Sequence, residues 1–327
     1  MTQWMIDTRG DPLGTLRDLV QALWQQAQIT VLLAPVNGSI EHTGPILIQD
    51  PVEIEQFNPF TPLMPINAAL LVRELLHLSG DGQAAAILRP CELRTLQAMQ
   101  RNGEIDTGDL LTVCVDCLGT LPADEFEWRA NRKGSPKGLA QEALQFARQG
   151  GIVPYRYRAA CQVCLSPRAE QADINIGVIG LPVRQNLLLQ TSARFEAQRL
   201  ALGRMDPADP ELVEQHAKVV DRLVERGAQT RGRIGRGLAS VLPANVDELV
   251  EQLASCGDCS VCLDECPLCQ SSRPQRDSYG YFQQDEIINW LVSCSGCGMC
   301  EQACPQHLPL TIIFGHIRDQ LESPITL

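Results

Sequence analysis

The sequence predicts an α/β domain with a mainly parallel sheet, followed by a smaller, helix-rich domain organised by cysteines. Three observations predict it. Helix-spaced and strand-type apolar patterns alternate from Leu13 to Leu189. Eight of the fourteen cysteines fall in a double repeat beyond residue 250. The length, 327 residues, suits roughly two domains at about 150 residues each. The expected boundaries are 1–200 for the α/β domain, 201–245 for a helical linker and 246–327 for the cysteine domain.

Leu13, Leu16, Leu19, Val20, Leu23 and Trp24 lie at helical spacing, and the β-branched run Ile29–Leu33 follows as a strand closed by Pro35 and Gly38. Ile46–Ile48 reads as a second strand. Ala68–Leu78 reads as a helix stopped at Gly80, and Ala84–Leu88 as a strand. A helix opens beyond Pro90, and Leu110–Val115, Ile174–Ile179 and Leu187–Leu189 complete the strands. Asp209-Pro210 makes a helix start, Asp as cap and Pro as first helical residue. From it Leu212, His216, Val219, Val220, Leu223 and Val224 form one apolar face. Arg226–Gly237, rich in Arg and Gly, reads as a basic linker in preference to an anion- or nucleic-acid-binding loop. Its glycines do not form a dinucleotide fingerprint.

Charge weighs against nucleic acid as a partner. There are 27 basic and 39 acidic residues, a net charge of −12, which does not suit a phosphate backbone. No apolar run is long enough to span a bilayer. Met1–Gly10 lacks a basic segment followed by an apolar one, so no signal peptide is expected. Fourteen cysteines without an export signal point to thiolate ligands in a reducing cytoplasm, not to disulfides.

The C-terminal spacing is specific. Cys256-x2-Cys259-x2-Cys262-x3-Cys266-Pro267 recurs 38 residues later as Cys294-x2-Cys297-x2-Cys300-x3-Cys304-Pro305. This is the bacterial ferredoxin pattern, in which the fourth cysteine of each run ligates the other cluster. One 4Fe–4S cluster is therefore assigned to Cys256, Cys259, Cys262 and Cys304, and a second to Cys294, Cys297, Cys300 and Cys266. Gly257, Gly296 and Gly298 suit loops that wrap a cube closely. Zinc sites show pairs of cysteines in place of such triplets. Cys262-x3-Cys266-x2-Cys269 has a radical-SAM spacing, but it lies inside the first run and too near the C-terminus for a barrel to follow. The 27 residues between Cys266 and Cys294, with a helical Asp285–Val292 and a further helix at Leu310–Leu321, favour a helix-rich module over the small βαβ type. His307 and His316 read as an exposed and a packed histidine in preference to cluster-tuning groups.

Cys91, Cys114, Cys117, Cys161 and Cys164 lie upstream. Cys91 opens a helix, where N–H groups and the dipole favour a thiolate. Cys117 lies at the C-terminal edge of the sheet, where ligands gather in α/β folds. With the loop pair Cys161-x2-Cys164 they make one four-thiolate set. Cys114-x2-Cys117 with the same pair makes another, of zinc or redox-dithiol type, although Cys114 falls within a strand. Spacing leaves the two sets open.

Leu88-Arg89-Pro90-Cys91, Val115-Asp116-Cys117-Leu118-Gly119 and the basic stretch Arg156-Tyr157-Arg158-Ala159-Ala160-Cys161-Gln162-Val163-Cys164 recur with Asp173 and Gly177 in a recognisable order. In these motifs, and in Cys266-Pro267-Leu268-Cys269, Ala303-Cys304-Pro305 and Leu308-Pro309-Leu310, the chain resembles the beta subunits of coenzyme F420-reducing hydrogenase and of F420-linked formate dehydrogenase. The resemblance implies a third 4Fe–4S cluster on Cys91, Cys117, Cys161 and Cys164, with Cys114 and Cys269 spare. It also implies FAD between this cluster and coenzyme F420, with Arg89, Arg156, Arg158 and Asp173 as cofactor-binding residues. Pro12-Leu13-Gly14-Thr15 replaces the family's Gly-Gly segment, and the stretch from Ile174 to Gln198 lacks its longer glycine pattern.

The expectation is an electron-transfer subunit that works beside a catalytic alpha-type subunit of a formate dehydrogenase or hydrogenase and delivers to a flavin, F420-like or other acceptor. A flavin-free iron–sulfur wire is the alternative within the same chemistry. A zinc-binding scaffold is the alternative outside it. No acid–base or nucleophilic constellation is evident.

Overall fold

The chain is described by a computed structural model over residues 2–150, 156–197 and 205–322. Eight strands form one sheet: β1 (Thr2–Asp7), β2 (Ile29–Asn37), β3 (Thr43–Ile48), β4 (Gln83–Leu88), β5 (Leu111–Val115), β6 (Ile174–Gly177), β7 (Asn186–Thr191) and β8 (Met205–Pro207), in the order β3-β2-β4-β5-β6-β7-β1-β8. The helices up to residue 237 are α1 (Pro12–Gln26), α2 (Val72–Ser79), α3 (Pro90–Arg101), α4 (Ala123–Lys133), α5 (Pro136–Gln145), α6 (Ala159–Gln162), α7 (Ala193–Ala197) and α8 (Pro210–Gly237). Beyond them come α9 (Val246–Ala254), α10 (Val261–Asp264), α11 (Gln284–Ser293), α12 (Met299–Ala303) and α13 (Leu310–Glu322).

The sheet is mixed, which corrects the expectation of a mainly parallel one. β2, β4, β5 and β6 pair in parallel, whereas β3, β7, β1 and β8 join antiparallel. The links 38–42 and 178–185 are shorter than the dozen or so residues that a parallel crossover needs, so β3 and β7 must turn back. β2 also runs through Pro35. That residue lies past the last β2–β4 pair and faces Pro45 of β3, where no ladder N–H is required of it.

Two compact units emerge. The first takes Met1–Leu93, Thr107–Tyr157 and Leu165–Glu225, and the second takes Arg94–Asp106, Arg158–Cys164 and Arg226–Leu327. In the first, Leu16, Leu19, Val20 and Leu23 of α1 pack with Leu32 and Ile176 of the sheet in one core, each large side chain contributing about 1.5–3 kcal/mol by burial. α8 starts as expected, Asp209 Oδ1 accepting the Glu211 N–H at 2.9 Å. His216, Val219 and Val220 on its apolar face are buried. The Arg/Gly-rich stretch Arg226–Gly237 is the C-terminal part of this helix. Its Gly227 is needed because a Cβ there would meet the Cys164 carbonyl oxygen at 2.5 Å. The expected boundary at residue 200 lies outside the described residues. No described helix is long and apolar enough to cross a membrane.

Candidate metal centre

The second unit is built around the two cysteine runs. Cys262 lies in the short helix α10 and Cys300 in α12, the same place in each repeat, and these helices pack together. Cys256, Cys259, Cys262 and Cys304 line a cavity of about 530 Å³ closed by Leu253, Arg276, Phe282 and Trp290. Their thiols act on one another: burial and then the neighbouring sulfurs of Cys256, Cys259 and Cys304 push Cys262 up to about 11. Burial, then Cys259, also raises Cys256, against a lowering by the Arg276 cation.

The other four behave as a second set. Burial and the Cys297 thiol push Cys294 up to about 11. Cys300 is raised well above the usual range by burial and by Cys294, Cys297 and Cys266. Cys304 lines the same cavity as the first triplet, and Cys266 acts on Cys294 and Cys300, with Cys262 also acting on Cys300. Among the described residues no three His, Cys, Asp or Glu side chains converge on a single ion. Four thiols ringing a cavity fit an iron–sulfide cube. Iron binding takes the thiol protons, so raised pKa values are relieved when a cluster forms.

Cys266 is different. Its pKa falls to about 6, first because the Cys269 thiol donates to it, with burial opposing and the Trp290 indole N–H adding a 3.3 Å bond. Cys269 correspondingly keeps its proton, raised first by that bond and then by burial.

The loop of the second run is held by three arginines that spacing does not single out. Arg318 donates to the Cys294 carbonyl at 2.9 Å, Arg94 to that of Ser295 at 3.1 Å and Arg158 to that of Cys297 at 3.0 Å. Thr95 Oγ1 donates to Ser295 Oγ at 2.7 Å. With carbonyls drawn outward, the Gly296 N–H turns to Cys294 Sγ at 3.4 Å. Gly298 has φ +70°, and a Cβ there would run into the Ala160 Cβ, so only glycine lets this loop meet the segment that carries Cys161 and Cys164. The first run, by contrast, lies in residues 238–272, which contain no Lys, Arg or His and six acidic residues.

In the first unit, Cys91 occupies the first turn of α3 and Cys117 follows β5. The Arg89 guanidinium reaches both: burial works against its charge, but Glu92 and then the Cys117 and Cys91 sulfurs outweigh it and raise its pKa. Glu92 also accepts the Arg89 backbone N–H at 2.7 Å, as the third helical residue of a capping box does. Asp116 anchors the turn before Cys117, its carboxylate accepting N–H groups of Ala169 at 2.7 Å, Val178 at 2.8 Å and Ile179 at 3.0 Å. Cys114 is fully buried inside β5, where burial, then Asp116, raises its pKa far above the usual range. Cys161 lies in α6 and Cys164 just beyond it, both in the second unit.

The cofactor residues implied by resemblance are used otherwise. Arg89 pairs with Glu92 at 3.2 Å and donates to the Thr61 and Leu63 carbonyls. Arg158 holds Cys297. Asp173 stands at the start of β6, the sheet edge opposite Cys117, and accepts both the N–H and the hydroxyl of Thr112. Arg89 and Asp173 thus have partners within the first unit, Arg158 holds the Cys297 carbonyl, and Arg156 is exposed.

Residues 252–308 match the family model of the 4Fe-4S dicluster domain. This segment is an iron–sulfur domain. The chain is also similar to the beta subunit of F420-dependent formate dehydrogenase 1 from Methanococcus maripaludis, 22% identical over 226 residues. That alignment takes in 61% of this chain and 57% of the relative, so the chain spans little more than half of the relative's length. Among solved structures, a chain of the F420-reducing [NiFe] hydrogenase complex from Methanosarcina barkeri is similar with a TM-score of 0.53 and 13% identity, over 71% of this chain and 91% of that one. The two share a fold.

Proposed function

We propose that the protein is the electron-transfer subunit of a formate dehydrogenase- or hydrogenase-type complex, working beside a catalytic alpha-type subunit. The observation that carries the reading is the double cysteine run, with Cys304 lining the cavity of the first triplet, in a segment matching a dicluster domain. Cluster one is held by Cys256, Cys259, Cys262 and Cys304, and cluster two by Cys294, Cys297, Cys300 and Cys266. A third, on Cys91, Cys117, Cys161 and Cys164, rests on the resemblance. When bound, such clusters accept and release single electrons. The chain's own residues bind the iron, bury it and hold the loops: Arg94, Arg158 and Arg318 fix the second run, and Asp116 fixes the approach to Cys117. Because Arg89 and Asp173 already have partners inside the first unit, the flavin-free relay is favoured over a subunit that carries FAD and passes to coenzyme F420.

The test is anaerobic purification followed by iron, zinc, acid-labile sulfide and flavin analysis, with paramagnetic resonance after dithionite reduction. Iron and sulfide for two or three clusters, with reduced-cluster signals, are expected. Zinc in place of iron defeats the reading, and stoichiometric FAD released by acid restores the flavin-bearing alternative.

A further inference from the structure

Cys266 and Cys304 hold equivalent places in the repeat, yet their surroundings are not equivalent. Three residues beyond Cys304 stands His307; three residues beyond Cys266 stands Cys269. The Cys269 thiol is buried and donates to Cys266 Sγ. On the other side the Trp290 indole N–H donates to the same sulfur at 3.3 Å, and the ring is fixed by an edge-on contact with Phe314, centroids 4.8 Å apart. Trp290 also lines the cavity of the first cysteine set, so one indole faces one cluster site and donates to a ligand of the other. Three guanidinium groups hold the loop of the second run, while the cavity of the first is lined by one, Arg276.

Hydrogen bonds to cluster sulfurs favour the reduced, more negative state. Resting on the cluster reading above, we propose that Trp290 and Cys269 are positioning residues that raise the reduction potential of cluster two through Cys266, making it the more easily reduced of the pair. Trp290→Phe keeps the ring packing and removes only the donor; Cys269→Ala removes the other donor, and Cys269→Ser keeps a hydroxyl in its place.

The experiment is an anaerobic redox titration of the full chain followed by paramagnetic resonance, with iron counted for each variant. Loss of one donor is expected to change the reduced-to-oxidised ratio of the more positive couple roughly tenfold at fixed potential, about 59 mV downward for one electron. The other couple should stay in place, and Cys269→Ser should lie between Cys269→Ala and the parent. Full iron with both couples unmoved in Trp290→Phe and Cys269→Ala overturns the inference, as does movement of the more negative couple alone. A parent chain without iron overturns the cluster reading instead, which separates the two failures. Should either variant lose iron, the titration of the other decides.

Discussion

Asp116 offers the sharpest test of how the first unit presents Cys117. Its carboxylate is buried and accepts three backbone N–H groups, of Ala169, Val178 and Ile179. The His216 Nδ1 lies 2.7 Å from the Ile179 carbonyl. A carbonyl only accepts, so that nitrogen carries a proton and braces the same loop. Orphaning a buried donor costs about 1–3 kcal/mol. Asp116→Ala orphans three and so costs about 3–9 kcal/mol, comparable with a whole domain's stability of about 5–15 kcal/mol. Asp116→Asn is the usable perturbation. Its carbonyl oxygen serves one side of the set while its amide faces the donors on the other, for a loss of about 1–3 kcal/mol. Urea denaturation under reducing conditions reads this through Trp4, Trp24 and Trp128, all in the first unit. The midpoint should fall with the slope unchanged, and the iron held by the two C-terminal sets should be retained. An Asn variant that melts with the parent would falsify the claim that these bonds hold the turn.

Three further outcomes are expected. Cys304→Ala and Cys266→Ala should each remove the iron of one cluster, and different ones, so that their reduced spectra are complementary; identical losses would contradict the crossed ligand sets. Gly298→Ala places a methyl against Ala160 at a positive φ, a loss of about 1–3 kcal/mol from overpacking plus about 1 kcal/mol from the backbone, measurable as weakened iron retention against a chelator. For protein stripped of iron, Cys262 and Cys294 have folded-state pKa values raised from 9.0 to about 11. Their contribution is complete below pH 9 and is lost as pH rises through 11. Cys266, lowered to about 6, contributes above pH 9 and loses its share as pH falls through 6. Melting temperatures of reduced apo-protein across this range should therefore fall at both ends, and a flat profile contradicts the assignment.

The most readable part of the chain is the cysteine repeat, because thiolate spacing is dictated by the cluster and not by the surroundings. Strands β2, β4, β5 and β6 are readable for a related reason: largely buried, they are short runs of mainly apolar residues, with Asn175 of β6 buried among them. β1 is not such a run, since Thr2, Gln3 and Asp7 interrupt it, and it becomes a strand only through its partners β7 and β8. Strand direction is equally hidden, since it depends on whether 178–185 can cross over, not on the composition of β6 and β7. α4 and α5 carry strongly polar outer faces, and α4 has only Phe126 and Ala130 buried, a weak periodic signal. The sites show the same division. Asp173 and Arg89 look like ligand-binding residues by type, but neighbours distant in sequence, Thr112 and Thr61 among them, have taken their polar atoms. Trp290 could not be singled out by spacing either, because its partner sulfur lies 24 residues earlier in the chain, before α11 begins.

Of all the chain's described cysteines, only Cys259 is exposed. An alkylating reagent or dissolved oxygen therefore meets the molecule first at that sulfur. Damage would begin at the first run and spare the arginine-braced second run for longer, leaving a half-loaded protein as the first product of ageing in air.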